Sequence, residues 1–297
     1  MSTGAIHDLG YKRYLGTRRP QSTRWGVIVR NTVAQAWKTW WRFKMALGLA
    51  VVAAVVTGGF IYVSRAVAPG MGDRVVRFGI HGNLLDGIIA LSVPWLCKAA
   101  FLVGLTAGAG TIAGDRQVGA FTFYFSRPVR PIDYVLGKFG GLFLLQLLII
   151  AAPLTAVAAF RVGMSDSSDI LKTLPLVGKA AITGVLGAAL YAAVPLGLSA
   201  LVQRRRNAIA LFAVFYLVVS NIVYGIGIGS PPVMAFNMQA AVTSVGTHLF
   251  DVTIDPFIQR TAPFVWSLVA IVLLTAGGIT LAWIQVRDQA GHGVGGS

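Results

Sequence analysis

The sequence predicts an all-α polytopic membrane protein with six transmembrane helices. Three observations carry this. First, 56% of the 297 residues are hydrophobic and only 12% are charged, about half the charged share of a soluble domain. Second, the mean hydropathy is +0.72, more apolar surface than a soluble chain of this length can hide. Third, the apolar residues fall in long uncharged runs. Crossing the hydrocarbon core takes about 20 of them. Backbone groups in lipid must be satisfied within the segment, so these runs are helices, and no period-2 alternation supports a barrel.

Residues 1–44 are polar and basic, which predicts a cytoplasmic segment and not a cleaved leader. Within it, Trp25, Val29, Val33, Trp37 and Trp40 recur at helical spacing among Arg30, Lys38 and Arg42. That pattern predicts a basic amphipathic elbow helix lying in the headgroup layer. Residues 45–286 form the transmembrane domain, with spans expected at about 45–63, 89–113, 139–160, 180–202, 207–227 and 262–286. Lys98 interrupts the second run, and Pro153 and Pro195 lie inside the third and fourth. Lys98 falls far enough from Asp115 for its amine to reach the headgroups along its own stem. The 44 uncharged residues between Arg206 and Asp251 are too many for one span and few for two. Residues 228–250, with Ser230-Pro231-Pro232, read as a loop with a re-entrant or interfacial helix. Residues 287–297 are expected to be a cytoplasmic tail.

The net charge is +15, and all ten acidic residues are Asp. Placing the N-terminus in the cytoplasm puts 17 of the 25 Lys and Arg on the cytoplasmic side, the bias that sets membrane orientation. Both termini are therefore expected inside, in a bacterial cytoplasmic (inner) membrane. The charge is topological, and no nucleic-acid partner is needed to explain it. The single cysteine, Cys97, forms no intrachain disulfide. The four histidines are scattered with no ligand spacing. Met71, Met164, Met234 and Met238 share the expected outer side, where apolar contact explains them without a metal. No catalytic set, metal site or cofactor site is expected. There is no glycine-rich loop ending in Gly-Lys-Ser/Thr to cradle ATP.

Residues 107–142 are the most informative. Gly104 with Gly108, and Gly110 with Gly114, are four apart and open a face to close helix approach. Asp115 and Arg116 mark the water boundary. Phe121, Phe123, Tyr124 and Phe125 make a dense aromatic patch, and Ser126-Arg127-Pro128 stops that helix because the residue before a proline resists helix. Asp133 is placed to cap the next helix, which runs through Tyr134 and Lys138. Such a short surface helix can seat in a groove of a soluble partner. A plain amphipathic loop is the other reading.

This stretch resembles the type-2 ABC transporter permeases, which include drug, polysaccharide and sodium exporters and a permease for nitrous-oxide-reductase maturation. The shared pattern reads here as Ile112-Ala113-Gly114-Asp115-Arg116, Gly119, Tyr124, Ser126-Arg127-Pro128 and Tyr134-Val135-Leu136-Gly137-Lys138. The elbow, six spans, basic turn at Arg204, Arg205 and Arg206, and long loop before the sixth span extend the likeness over nearly the whole chain. Many relatives carry Glu where Asp115 stands, one methylene longer. The resemblance implies two permease copies, each docking a cytosolic ATPase that holds ATP and Mg. A coupling helix at about 119–126 would pass ATPase closure to the spans, with Arg204 and Arg205 as a second contact. It implies cargo movement, export before import, by a non-enzymatic subunit. Two other classes stay open: a mechanotransmitter driving an extracytoplasmic partner, and an intramembrane enzyme.

Overall fold

The computed structural model describes residues 24–38, 40–67, 79–125, 129–166 and 168–292. Six helices are long and apolar enough to cross a membrane: Phe43–Arg65, Leu84–Gln117, Pro131–Gly163, Ile170–Leu201, Arg205–Ile226 and Phe264–Gln289. They overlap the six apolar runs, and the second to fourth extend well past them. Apart from Lys98, those three carry their charged residues at or beyond the apolar stretch, as Asp86, Asp115, Lys138, Arg161 and Lys172 show. The last helix runs on to His292, so the segment expected as a tail begins as helix.

The fourth span is the hub. In its most apolar window 67% of the residues are buried, against 17% in the fifth and sixth spans. Its closest neighbour is the sixth span. There Gly197 faces the backbone of Gly278, and Gly278 faces the carbonyl of Ala193, with no room for a methyl on either. Small residues let two helices meet backbone to backbone where lipid supplies no hydrophobic drive.

The N-terminal helix, Arg24–Lys38, packs against the third span. Ile28 and Thr32, one turn apart, sit on Gly137 and Gly141, also one turn apart. Ile28, Thr32 and Ala36 are buried, whereas Trp25 and Trp37 stay half exposed. Trp25 and Trp37 of the stripe face outward, whereas its Val29 meets Gly140 and its Val33 packs against the core.

The segment after the fifth span is more deeply set than a surface loop. Short helices Pro131–Gln146 and Ala152–Gly163 make up the third span around a wide turn. Beyond the fifth, Pro231–Met234 leads to Met238–Leu249, which is buried along most of its length. Asn237 caps that helix through the Ala240 amide at 2.8 Å and donates to the Ser220 carbonyl at 2.8 Å. Met234 and Met238 are core residues. A two-residue antiparallel bridge pairs Ile80 with Ile254 and His81 with Thr253, tying the lead-in of the second span to that of the sixth.

The glycine contact gives a clean test. Gly278→Ala should cost about 1–3 kcal/mol by overpacking. Gly277→Ala, whose Cβ would meet nothing within 4 Å, should be neutral or slightly stabilising, since alanine is the better helix former. Thermal unfolding in detergent, followed by the loss of the monodisperse peak, separates the two; equal losses would refute the packing.

Candidate functional site

The second span does not run straight to its Asp115 end. A wide turn at Gly104–Gly108 is followed by a break at Gly110, and the helix restarts as Thr111–Gln117. A restarted helix exposes amides without partners. Here Ser199 Oγ of the fourth span accepts from both Ile112 N and Ala113 N at 3.1 Å. The predicted small face is filled by side chains. Gly104 meets Phe212 and Pro195, Gly108 meets Pro195, and Gly110 lies under the Arg205 side chain.

Asp115 stands in that restarted turn. Its Oδ2 lies 2.8 Å from Lys138 Nζ and accepts the Tyr134 hydroxyl at 2.7 Å. Tyr134 and Lys138 are one turn apart on the third span, and both are fully buried, Lys138 at 2% exposure. A buried ammonium without a counterion would cost several kcal/mol, so the pair persists as a unit. Asp115 is thus engaged inside the subunit.

Past Gln117 the chain turns on Gly119, which has φ +66°, a left-handed conformation that glycine adopts without strain. The short helix Ala120–Phe125 follows. Phe121 and Tyr124, three apart, both meet the Tyr134 ring edge-on, with centroids at 5.5 and 5.2 Å. Tyr134 therefore joins the aromatic anchor to the ion pair. Burial, and then the nearby Asp115 charge, hold the Tyr124 phenol above its ordinary range, so it stays neutral. Arg116 reaches the Val202 carbonyl at 3.5 Å and lies 5.9 Å from the Phe121 ring. Val118, at the turn, is 75% exposed.

The basic turn docks beside this. Arg204 precedes the first turn of the fifth span, and the Arg205 amide donates to Gln117 Oε1 at 3.1 Å. The structure thus brings Asp115, Arg116, Gly119, Phe121, Tyr124, Arg204 and Arg205 to one end of the bundle. Phe123 and Phe125 lie in the helix backbone, with their side chains outside the described residues. Ser126, Arg127 and Pro128 lie outside the described residues altogether. Asp133 does not cap the next helix. That helix starts at Pro131 with Arg130 before it, and Asp133 sits in its first turn, where it favours the positive helix end. Proline at the first helical position displaced the start by three residues.

A cavity of about 540 Å³ opens beside the pair, lined by Gln35, Phe43, Thr106, Gly114, Lys138 and Arg205 among others. Among the described residues no three His, Cys, Asp or Glu side chains group as metal ligands. The arrangement hangs a short helix, half-buried at Ala120, Phe121 and Tyr124, from an ion pair that ties two spans together.

Sequence reasoning passed over Tyr134 as a side chain, Lys138 as a counterion, and Ser199. The first two carried a signal. An acid closing one span and a base opening the next face each other when a short hairpin joins them, and Tyr134 and Lys138 share a helix face by their spacing of four. Nothing in the sequence marks Ser199.

A protein-family model described as an ABC-2 family transporter protein matches residues 28–282. No curated protein matches the chain.

Breaking the tie on one side should be worse than removing it. Asp115→Asn and Lys138→Met should each lower stability by about 3–5 kcal/mol, and the double variant by less than either single, since it strands no charge. Thermal unfolding in detergent measures this; strictly additive losses would show that the two residues do not act together.

Proposed function

The chain belongs to the ABC-2 transporter family and is a permease of an ABC transporter, and we propose that it couples ATP hydrolysis by a separate cytosolic ATPase to export across a bacterial cytoplasmic membrane. In this reading two copies pair, and each docks one ATPase against Ala120–Phe125. Both termini face the cytoplasm, in line with the 17 of 25 basic residues on that side.

The observation that carries the proposal is the suspension of the short helix. Phe121 and Tyr124 fasten it to Tyr134, and Tyr134 is hydrogen-bonded to the Asp115 carboxylate that also binds Lys138. A push on the helix therefore reaches the second and third spans through packed rings and a buried ion pair. The Arg205 amide on Gln117 extends the same path to the fifth span. Exposed Val118 at the turn supplies an apolar contact of the kind that anchors a protein interface. Ser126-Arg127-Pro128, and Arg204 in the basic turn, are assigned to the same ATPase-facing surface. ATP and Mg belong to the partner, and the permease contributes the moving element.

Two variants separate docking from suspension. Val118→Asp should reduce ATPase co-purification about tenfold, as loss of one central apolar contact does, with thermal stability unchanged. Phe121→Ala should lower both, because the ring also packs on Tyr134. Undiminished association in both would remove the assignment. The orientation is checked separately: a cysteine at His248 should react with an impermeant maleimide from outside the cell and not from the cytoplasm.

A further inference from the structure

A second cavity, of about 450 Å³, lies between the second and fifth spans, away from the Asp115 end. Its size is ordinary for a ligand site, which spans ~300–1,000 Å³. Lys98, on its wall, is about 25 Å along the helix from Asp115 at 1.5 Å per residue. That places its ammonium near the opposite edge of the hydrocarbon. Its Nζ rests 4.0 Å from the Trp95 ring centroid. Arg260 and Gln259 line the same cavity from the segment before the sixth span.

The charges here are uncompensated. No described carboxylate lies within 4.0 Å of Lys98 or Arg260, and no acidic residue lines the cavity. Gln259 Nε2 is buried and donates to nothing. The neighbouring cavity near Asp86, of about 490 Å³, shows what this fold does with structural cations. Arg65 pairs with Asp166 at 3.0 Å, Lys172 with Asp169 at 2.9 Å, Lys179 with Asp251 at 2.6 Å and Arg161 with Asp86 at 3.6 Å. Four cations have four acids there, and two cations have none here. Cations at membrane depth without a counterion are costly and mark substrate paths. Leu91, Trp95 and Ile258 add apolar surface beside these cations, the last two about half exposed at 54% and 51%.

We infer that this cavity binds an amphiphilic anion, a phosphate or carboxylate head carried on an apolar chain. The head sits between Lys98 and Arg260 and accepts from Gln259 Nε2, while the chain leaves past Leu91, Trp95 and Ile258 toward lipid. As a binding site this stands on the cavity alone. As the cargo site it rests on the permease reading, and it then names the cargo's chemical class.

The test uses the full chain, without ATPase, in nanodiscs of phosphatidylcholine doped with phosphatidylglycerol, with retained lipid counted by native mass spectrometry. The wild type should retain phosphatidylglycerol saturably, near one per chain, in preference to phosphatidylcholine. K98Q and R260Q should each weaken that retention on the order of tenfold, as loss of one charge-assisted contact does. K98R should keep it, and K172Q, which removes a paired cation, should leave it unchanged. Displacement by glycerol 3-phosphate would show that the anionic head suffices; failure to displace would show that the apolar chain is required. Equal retention of the two lipids, or equal losses in K172Q and K98Q, would overturn the site. ATPase co-purification of the same variants is scored apart. Anion binding without any ATPase association would sustain the site and remove its cargo role.

Discussion

The architecture turns on the cost of holding charge where water is scarce. Asp115 and Lys138 meet at 2.8 Å with Lys138 fully buried. Either charge alone would be strongly destabilising there, whereas the pair, with the Tyr134 hydroxyl as a further donor, is tolerated. A surface ion pair is worth little and yields readily. This one has no cheap broken state. It therefore fixes the register of the second and third spans at that end, and everything built on Tyr134 inherits the constraint.

The same two spans are tied again at their other end and in the middle. Arg161, 5% exposed, faces Asp86 at 3.6 Å. Buried Gln146 donates to the Ala100 carbonyl of the second span at 3.0 Å and to the Tyr191 carbonyl of the fourth at 3.2 Å. Polar contacts between helices in lipid are each worth about 0.6–2 kcal/mol, and three levels of them make the second and third spans move together. Compliance is placed elsewhere. The wide turn at Gly104–Gly108 and the break at Gly110 lie between the Gln146 level and the Asp115 level. Ser199 satisfies the freed amides, so bending there leaves no backbone group stranded.

Much of this was legible in the sequence, and the failures share one cause. Uncharged runs mark helices in lipid because hydrocarbon permits no other open backbone, so the six spans could be read from the sequence. The face by which the N-terminal helix meets the third span was not legible. In water the bulkiest apolar stripe points to the core. Beside a membrane it need not, and Trp25 and Trp37 point away while Ile28 and Thr32 settle on Gly137 and Gly141. The start of the helix after Pro128 was placed at Asp133 because a capping residue is a strong signal, yet Pro131 is stronger. Ser199 could not be found at all, since its role depends on a break in another span.

Charge pairing then distinguishes structure from function within one membrane domain. Lys138 and Arg161 lie deep and have their acids, Asp115 and Asp86, on the adjoining span. Asp for Glu at position 115 fits this internal use: the shorter side chain keeps the carboxylate close to its own helix, within reach of Tyr134 and Lys138 across a tight interface. A longer acid would have to fold back or push the helices apart, and a close-packed interior resists both. Asp115 thus holds the ion pair from which the short helix Ala120–Phe125 hangs. Lys98 and Arg260 follow the opposite logic, since no acid within the described subunit answers them. The four cations around the Asp86 cavity each have an acid, whereas Lys98 and Arg260, along the cavity between the second and fifth spans, have none among the described residues.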